Sequence, residues 1–311
     1  MKRIVILAVA GILLGVALDA CLRFALGLGT PPLSYADPDY GYAFKPNQSL
    51  RRFGRRIEYN EEGLRSPPIN MNAPCRILCL GDSVTNGGVL TDQEDTYPYV
   101  LGKKLASAGY NCEIENASAG SWGVENELEF LKKRGIFGSD WVVAQIGSHD
   151  LYQRKSTGEK VGVDPNFASE NPPFASWELI ERYAIPRLAR FVSPARHVNP
   201  QTPSPEDHQA CMRTIAEMIH FVREHHAEIM LVLTPDHVEI SAPELASAGR
   251  KSIFDLSESE EVPLIDMLPV FREETDNGSV VFRDSVHPNE LGNAAMAESA
   301  FAVLAELGQL Q

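Results

Sequence analysis

The chain has 311 residues, 44% hydrophobic and 23% charged, enough for one sizeable globular body with extensions. Its formal net charge of −14 argues against a nucleic-acid partner, since a phosphate backbone demands a concentrated basic surface. The five cysteines (Cys21, Cys75, Cys79, Cys112, Cys211) have neither metal-site spacing nor the density of a disulfide framework. They read as small buried hydrophobes, with one disulfide open if the chain is exported and no pair preferred.

At the N-terminus, Lys2 and Arg3 precede an uncharged apolar run from Ile4 to Leu18, the layout of a signal or a membrane anchor. Asp19 and Arg23 are four apart and can pair on one helix face, and "FALGLG" carries the apolar character to Gly29. Residues 1–29 are therefore expected to anchor the protein in the membrane, with the body periplasmic or extracellular. A cleaved secretory signal is the second reading. A lipoprotein is the third, because "LDAC" resembles a processing box but Asp19 suits one poorly.

Residues 30–74 shift to Pro, Tyr and Asp and then to Arg51, Arg52, Arg55 and Arg56. Short β-like pieces broken by Gly and Pro predict an irregular β module and linker, its arginines forming a solvated face.

Regular patterning begins in a third segment, 75–311. Strands are expected at Ile77–Leu80, Cys112–Glu115, Trp141–Ile146, Ile229–Leu233 and Val262–Ile265. Helices are expected at Tyr97–Ala108, Gly123–Lys133, Pro205–His226, Pro243–Leu256 and from Asn289 to about Leu307. Such alternation gives an α/β fold, a parallel sheet of five strands with helices on both faces, where ligands gather beyond the carboxyl ends of the strands. Residues 151–204 break the rhythm with many prolines and aromatics, and a connection this long suggests a lid or a substrate-binding cap.

"RILCLGDSVTNG" places Ser83 directly after a strand, at that edge. A serine hydroxyl is a weak nucleophile and needs a base, an orienting carboxylate and donors for the oxyanion. "RDSVHPNELG" supplies Asp284 and His287, which a helical turn would bring onto one face. Of the other histidines, His220, His225 and His226 lie on or at the end of one helix, and His197 and His208 lie in or beside the insert. His237, in "TPDHVE", is a reserve candidate for substrate contact.

"GDSVTNG", "NASAGSWG", "GSHD" and "DSVHP", in this order, resemble the four blocks of the GDSL/SGNH hydrolases over roughly Arg76 to the C-terminus. The resemblance implies a flavodoxin-like three-layer α/β/α fold and hydrolysis of carboxylic esters without metal or cofactor. It implies Ser83 as nucleophile, His287 as base and Asp284 as its orienting partner. The oxyanion would be held by the backbone N–H groups of Ser83 and Gly120, with Asp82 and Asp150 in support. One position departs: where the family carries Asn in its third block, this chain has His149. An imidazole can also donate, so His149 is expected to replace the amide, with Asp150 or another acceptor fixing its tautomer. Restoring the family's Asn at that position is expected to keep or raise activity. The substrate is expected to be a short acyl ester on carbohydrate. The alternatives are a polysaccharide O-acyltransferase or lipid esterase on the same machinery, and a membrane-anchored binding module without turnover.

Overall fold

The computed structural model describes residues 1–192, 204–242 and 249–308. It begins with helix α1 (Lys2–Leu26) and two antiparallel hairpins, β1 (Ser34–Asp37) with β2 (Gly41–Phe44) and β3 (Gln48–Arg52) with β4 (Arg55–Tyr59). Helix α1 is long and apolar enough to cross a membrane, and its first seventeen residues are exposed. Asp19 and Arg23 pair at 2.9 Å, as their spacing suggested. The hairpins are more regular than the composition implied. Arg52 is not on a solvated face: it is fully buried and bonded to Glu178 of the insert. A guanidinium with a buried carboxylate partner can leave water, whereas its neighbours Arg55 and Arg56 stay partly exposed opposite Glu290 and Glu94.

The main sheet is built from β5 (Cys75–Gly81), β6 (Cys112–Ser118), β7 (Trp141–Gly147), β8 (Glu228–Thr234) and β9 (Leu264–Asp266), all parallel, in the order β6-β5-β7-β8-β9. The last strand starts two residues later than expected, after Pro263, which cannot donate to a ladder.

Side-chain alternation divides the core. Leu78, Leu80, Val142, Ala144, Ile229 and Leu231 face α4 (Val124–Arg134), α7 (Pro205–Glu224) and α9 (Gly249–Ser259). Ile77, Cys79, Val143, Met230 and Val232 face α3 (Tyr97–Ser107), α10 (Met267–Asp276) and α11 (Glu290–Leu307). Every residue of β5 and β7 is buried. Burial of each large aliphatic contributes on the order of 1.5–3 kcal/mol, more than any strand propensity, so both faces of the sheet are fixed by the helices over them.

Register also decides the cysteines. Cys75 stands opposite Cys112 across β5 and β6, and the two form a disulfide with Cα atoms 4.4 Å apart. Sequence could not choose this pair, because the choice rests on strand neighbours. Cys79 and Cys211 are free and buried, as expected of small hydrophobes, while Cys21 is exposed on α1.

Connections leave β5 and β7 for opposite faces of the sheet, which opens a crevice at their carboxyl ends. Part of the insert lies outside the described residues, as do His197 and the start of the helix expected from Pro243. The described part carries α5 (Ala175–Glu178), a π-helical turn Leu179–Ala184 and α6 (Ile185–Val192).

Candidate active site

Strand β5 ends at Gly81, and the next residue, Asp82, caps a short helix α2 (Ser83–Asn86) by accepting the Val84 N–H at 2.8 Å. Ser83 thus opens a turn above the sheet, half-buried, with its hydroxyl turned to the crevice. Glycine is required before it, since a methyl on Gly81 would lie 2.2 Å from Thr85 Oγ1 and 2.7 Å from Gln145 Oε1.

His287 approaches from the far end of the chain, its Nε2 at 2.9 Å from Ser83 Oγ. Its Nδ1 lies 2.8 and 2.9 Å from the two oxygens of Asp284. A carboxylate only accepts, so the ring proton sits on Nδ1 and Nε2 is left to accept from the serine. The segment is not the helical turn that the i, i+3 spacing suggested. Asp284 closes a tighter turn itself, its Oδ1 accepting the N–H groups of Val286 and His287. Partial burial opposes ionisation of Asp284, but these N–H donors and the imidazole outweigh it and hold its pKa below the ordinary carboxylate value.

Gly120 also reaches Ser83. A methyl there would lie 3.8 Å from Ser83 Cβ and 3.4 Å from Tyr42 Oη, ordinary contact distances, so protein packing does not demand glycine. It forms part of the wall of a pocket of about 160 Å³ that Ser83 also lines. Tyr42 and Phe44 of the N-terminal hairpin, Tyr59 of β4, and Asn166, Phe167 and Arg182 of the insert line the same pocket. Tyr42 Oη donates to the Gly120 carbonyl at 2.6 Å, and Trp122 Nε1 donates to the Tyr42 carbonyl at 2.9 Å. Tyr42 therefore positions the Gly120 peptide. Tyr42→Phe is expected to lower kcat about 3- to 10-fold with KM within about twofold, as steady-state kinetics would show. An equal fall in kcat/KM through KM alone would refute a positioning role.

The third block holds a cluster that spacing did not reveal. His149 Nε2 lies 3.2 Å from Asp82 Oδ2, and Nδ1 lies 2.9 Å from Asp236 Oδ1. Asp150 Oδ1 is buried without a hydrogen-bond donor, 3.6 Å from Nε2, while its Oδ2 accepts the Gly147 N–H at 2.8 Å. Gly147 makes room for the ring, since a methyl there would sit 2.4 Å from His149 Cε1. Burial works against the imidazolium, but the Asp150 charge and the hydrogen bonds to Asp236 and Asp82 overcome it and raise the pKa of His149 far above the usual imidazole value. Burial pushes Asp150 upward, with His149 and the Gly147 N–H opposing. Both ring nitrogens of His149 are committed to carboxylates, and the acceptor on Nδ1 is Asp236, not Asp150.

Asp82, His149 and Asp150 place ligand atoms within 4.8 Å of one another, the one such grouping among the described residues.

Asp236 escaped the sequence reading, which singled out the adjacent His237. Both follow β8 at the carboxyl edge of the sheet, but His237, the first residue of helix α8 (His237–Ser241), is exposed, with its backbone N–H on the Ser285 carbonyl. The signal available was "TPDH" after a strand; nothing in it told which of the two residues faces inward. His208 bridges the Leu151 carbonyl and Ser252 and is structural.

A sequence profile of the GDSL-like lipase/acylhydrolase family matches residues 79–295. No curated protein matches. Among solved structures, LAE5, an alpha/beta hydrolase enzyme from the metagenome of Lake Arreo, Spain, superposes with a TM-score of 0.50 at 16% identity, over 75% of this chain and 96% of that one. A member of the lipolytic protein G-D-S-L family from Veillonella parvula has a TM-score of 0.49 at 15% identity, over 74% and 98% of the two chains. The acetyl xylan esterase AlAXEase has a TM-score of 0.49 at 16% identity, over 74% and 99%. With the family profile covering well over half of its length, the chain belongs to the GDSL-like lipase/acylhydrolase family and is an acylhydrolase of the serine type.

Proposed function

We propose that the protein is a serine esterase that removes a short acyl group from a carbohydrate-linked ester outside the cytoplasm. The contact between Ser83 Oγ and His287 Nε2, with Asp284 on the other ring nitrogen, carries this reading. Ser83 Oγ attacks the ester carbonyl while its proton passes to His287 Nε2, and Asp284 stabilises the imidazolium that forms. The N–H groups of Ser83 and Gly120 face the oxyanion. The intermediate collapses with loss of the alcohol, which takes the proton from His287. Water then attacks the acyl-enzyme by the same route, releasing the acid and restoring Ser83.

His149 acts through Asp82, holding the cap that orients Ser83, and its charge offsets part of the negative charge gathered beside the oxyanion. The pocket of about 160 Å³ is small beside the roughly 300–1,000 Å³ of sites for larger ligands, which favours a short acyl group. Its aromatic walls suit sugar faces, and Asn166 and Arg182 suit hydroxyl or carboxylate groups. Helix α1 is read as an anchor whose apolar run follows Lys2 and Arg3. The disulfide supports an oxidising compartment for the body.

A panel of nitrophenyl esters tests the acyl preference: turnover is expected to fall at least about tenfold from acetyl to octanoyl. A rising series would favour a lipid ester, and transfer of the acyl group to an added sugar in place of water would favour an acyltransferase.

A further inference from the structure

The insert carries an apolar face that no other described residue covers. Phe174, Trp177, Ile180, Ile185 and Leu188 are 49–62% exposed, whereas Ala175 between them is buried with Leu22 and Leu28 at the foot of α1. Polar bonds fix this face against the helix. Asp19 accepts from the Ser176 N–H at 3.0 Å and from its hydroxyl at 3.2 Å. Arg23 donates to the Pro173 carbonyl at 3.2 Å, and the Gly29 N–H donates to Glu178 at 2.6 Å.

Those bonds set a height. A spanning helix needs about 20 residues to cross roughly 30 Å of hydrocarbon, and counted from Ile4 that length ends near Arg23. Ser176 lies beside Asp19 and Pro173 beside Arg23, so Phe174 and Trp177 stand within about one helical turn of the hydrocarbon boundary. Aromatic side chains concentrate at that depth, and exposed Arg187, stacked on Tyr183, is chemically suited to lipid phosphates.

We infer that the face formed by residues 174–188 rests in the headgroup–acyl boundary of the leaflet from which α1 emerges. The partner is the lipid surface itself. Ion pairing of Glu178 with Arg52 ties this face to the N-terminal hairpins, and Arg182 of the same segment lines the Ser83 pocket. Membrane contact therefore holds the pocket at a fixed height above the lipid. The inference rests on the anchor reading of α1.

Tryptophan fluorescence tests both separately. Trp122 and Trp141 are 1% and 3% exposed and Trp177 is 53% exposed, so Trp177 alone meets a quencher in the surroundings. The full chain is reconstituted in phosphatidylcholine–phosphatidylglycerol vesicles with acyl chains brominated either near the headgroup or near the middle. Shallow bromines are expected to quench the Trp177 contribution at least about twofold, deep ones less, and Trp177→Phe should abolish the effect. Val9→Trp in the Trp177→Phe background reports on α1. Deep quenching of Val9→Trp with Trp177 untouched would overturn the interfacial face and leave the anchor standing. Absence of quenching in both would overturn the anchor reading and this inference with it.

Discussion

Ser83→Ala is expected to lower ester turnover on the order of 10⁴- to 10⁶-fold and to abolish covalent labelling by a fluorophosphonate. The size of the loss follows from what the hydroxyl does: without it no acyl-enzyme forms, and only binding and oxyanion contacts are left. His287→Ala should cost a similar factor, since the hydroxyl loses the imidazole that takes its proton at 2.9 Å and keeps only the longer contact to Asp82 Oδ2 at 3.4 Å. The double variant should be little worse than either single one, because residues acting as one unit do not add. Folding is a useful control. The Asp82 bond to the Val84 N–H is untouched by Ser83→Ala, so the unfolding free energy should stay within about 1 kcal/mol of the parent. Labelling that persists in Ser83→Ala would place the nucleophile elsewhere. A parent that neither labels nor turns over would favour a binding module on this fold.

His149→Ala is expected to lower turnover at least about tenfold, because Asp82, which caps the turn that orients Ser83, loses its partner, and to destabilise the fold by about 3–5 kcal/mol. Removing the ring leaves Asp82 and Asp236 without their shared cation and Asp150 beside them. The cluster also reverses the expectation for His149→Asn. An amide carries no charge and cannot reach carboxylates on two sides, so it should recover only part of the loss, despite restoring the family's usual residue. Full parental activity in His149→Asn would show that charge is irrelevant there.

A pH signature accompanies this. The folded protein holds the His149 proton more tightly than the unfolded chain, so the stabilisation is complete below the ordinary imidazole pKa of about 6.5 and drains away as pH rises above it. Asp150, also raised, acts in the same direction from a lower starting point. The unfolding free energy of the parent from denaturant titrations should therefore fall between about pH 7 and 9, by no more than about 1.4 kcal/mol per pH unit, and His149→Asn should flatten that slope. A parent that is equally stable across this range would contradict a buried imidazolium.

The five-stranded sheet, its helices on both faces and the apolar N-terminal helix were legible because hydrophobic periodicity is a local property written along one chain. Ser83, Asp284 and His287 were legible for a related reason: each sits at a strand end or beside a helix start, where residue type already suggests a role. The shape of the 284–287 turn was misread because a side chain can cap its own backbone without any helix. Arg52 was misread because its partner, Glu178, lies 126 residues away and no local pattern links them.

What the amino-acid sequence alone determined was the fold, its family resemblance and which serine stands at the ligand edge, all consequences of short-range pattern and motif order. Only the tertiary structure decided that Cys75 bonds Cys112, that Tyr42 grips the Gly120 peptide, and that His149 sits between Asp82 and Asp236. Those depend on which strands become neighbours and which loops converge over the sheet. Charge and hydrogen bonding act across a few ångströms of space, whatever distance along the chain separates the residues.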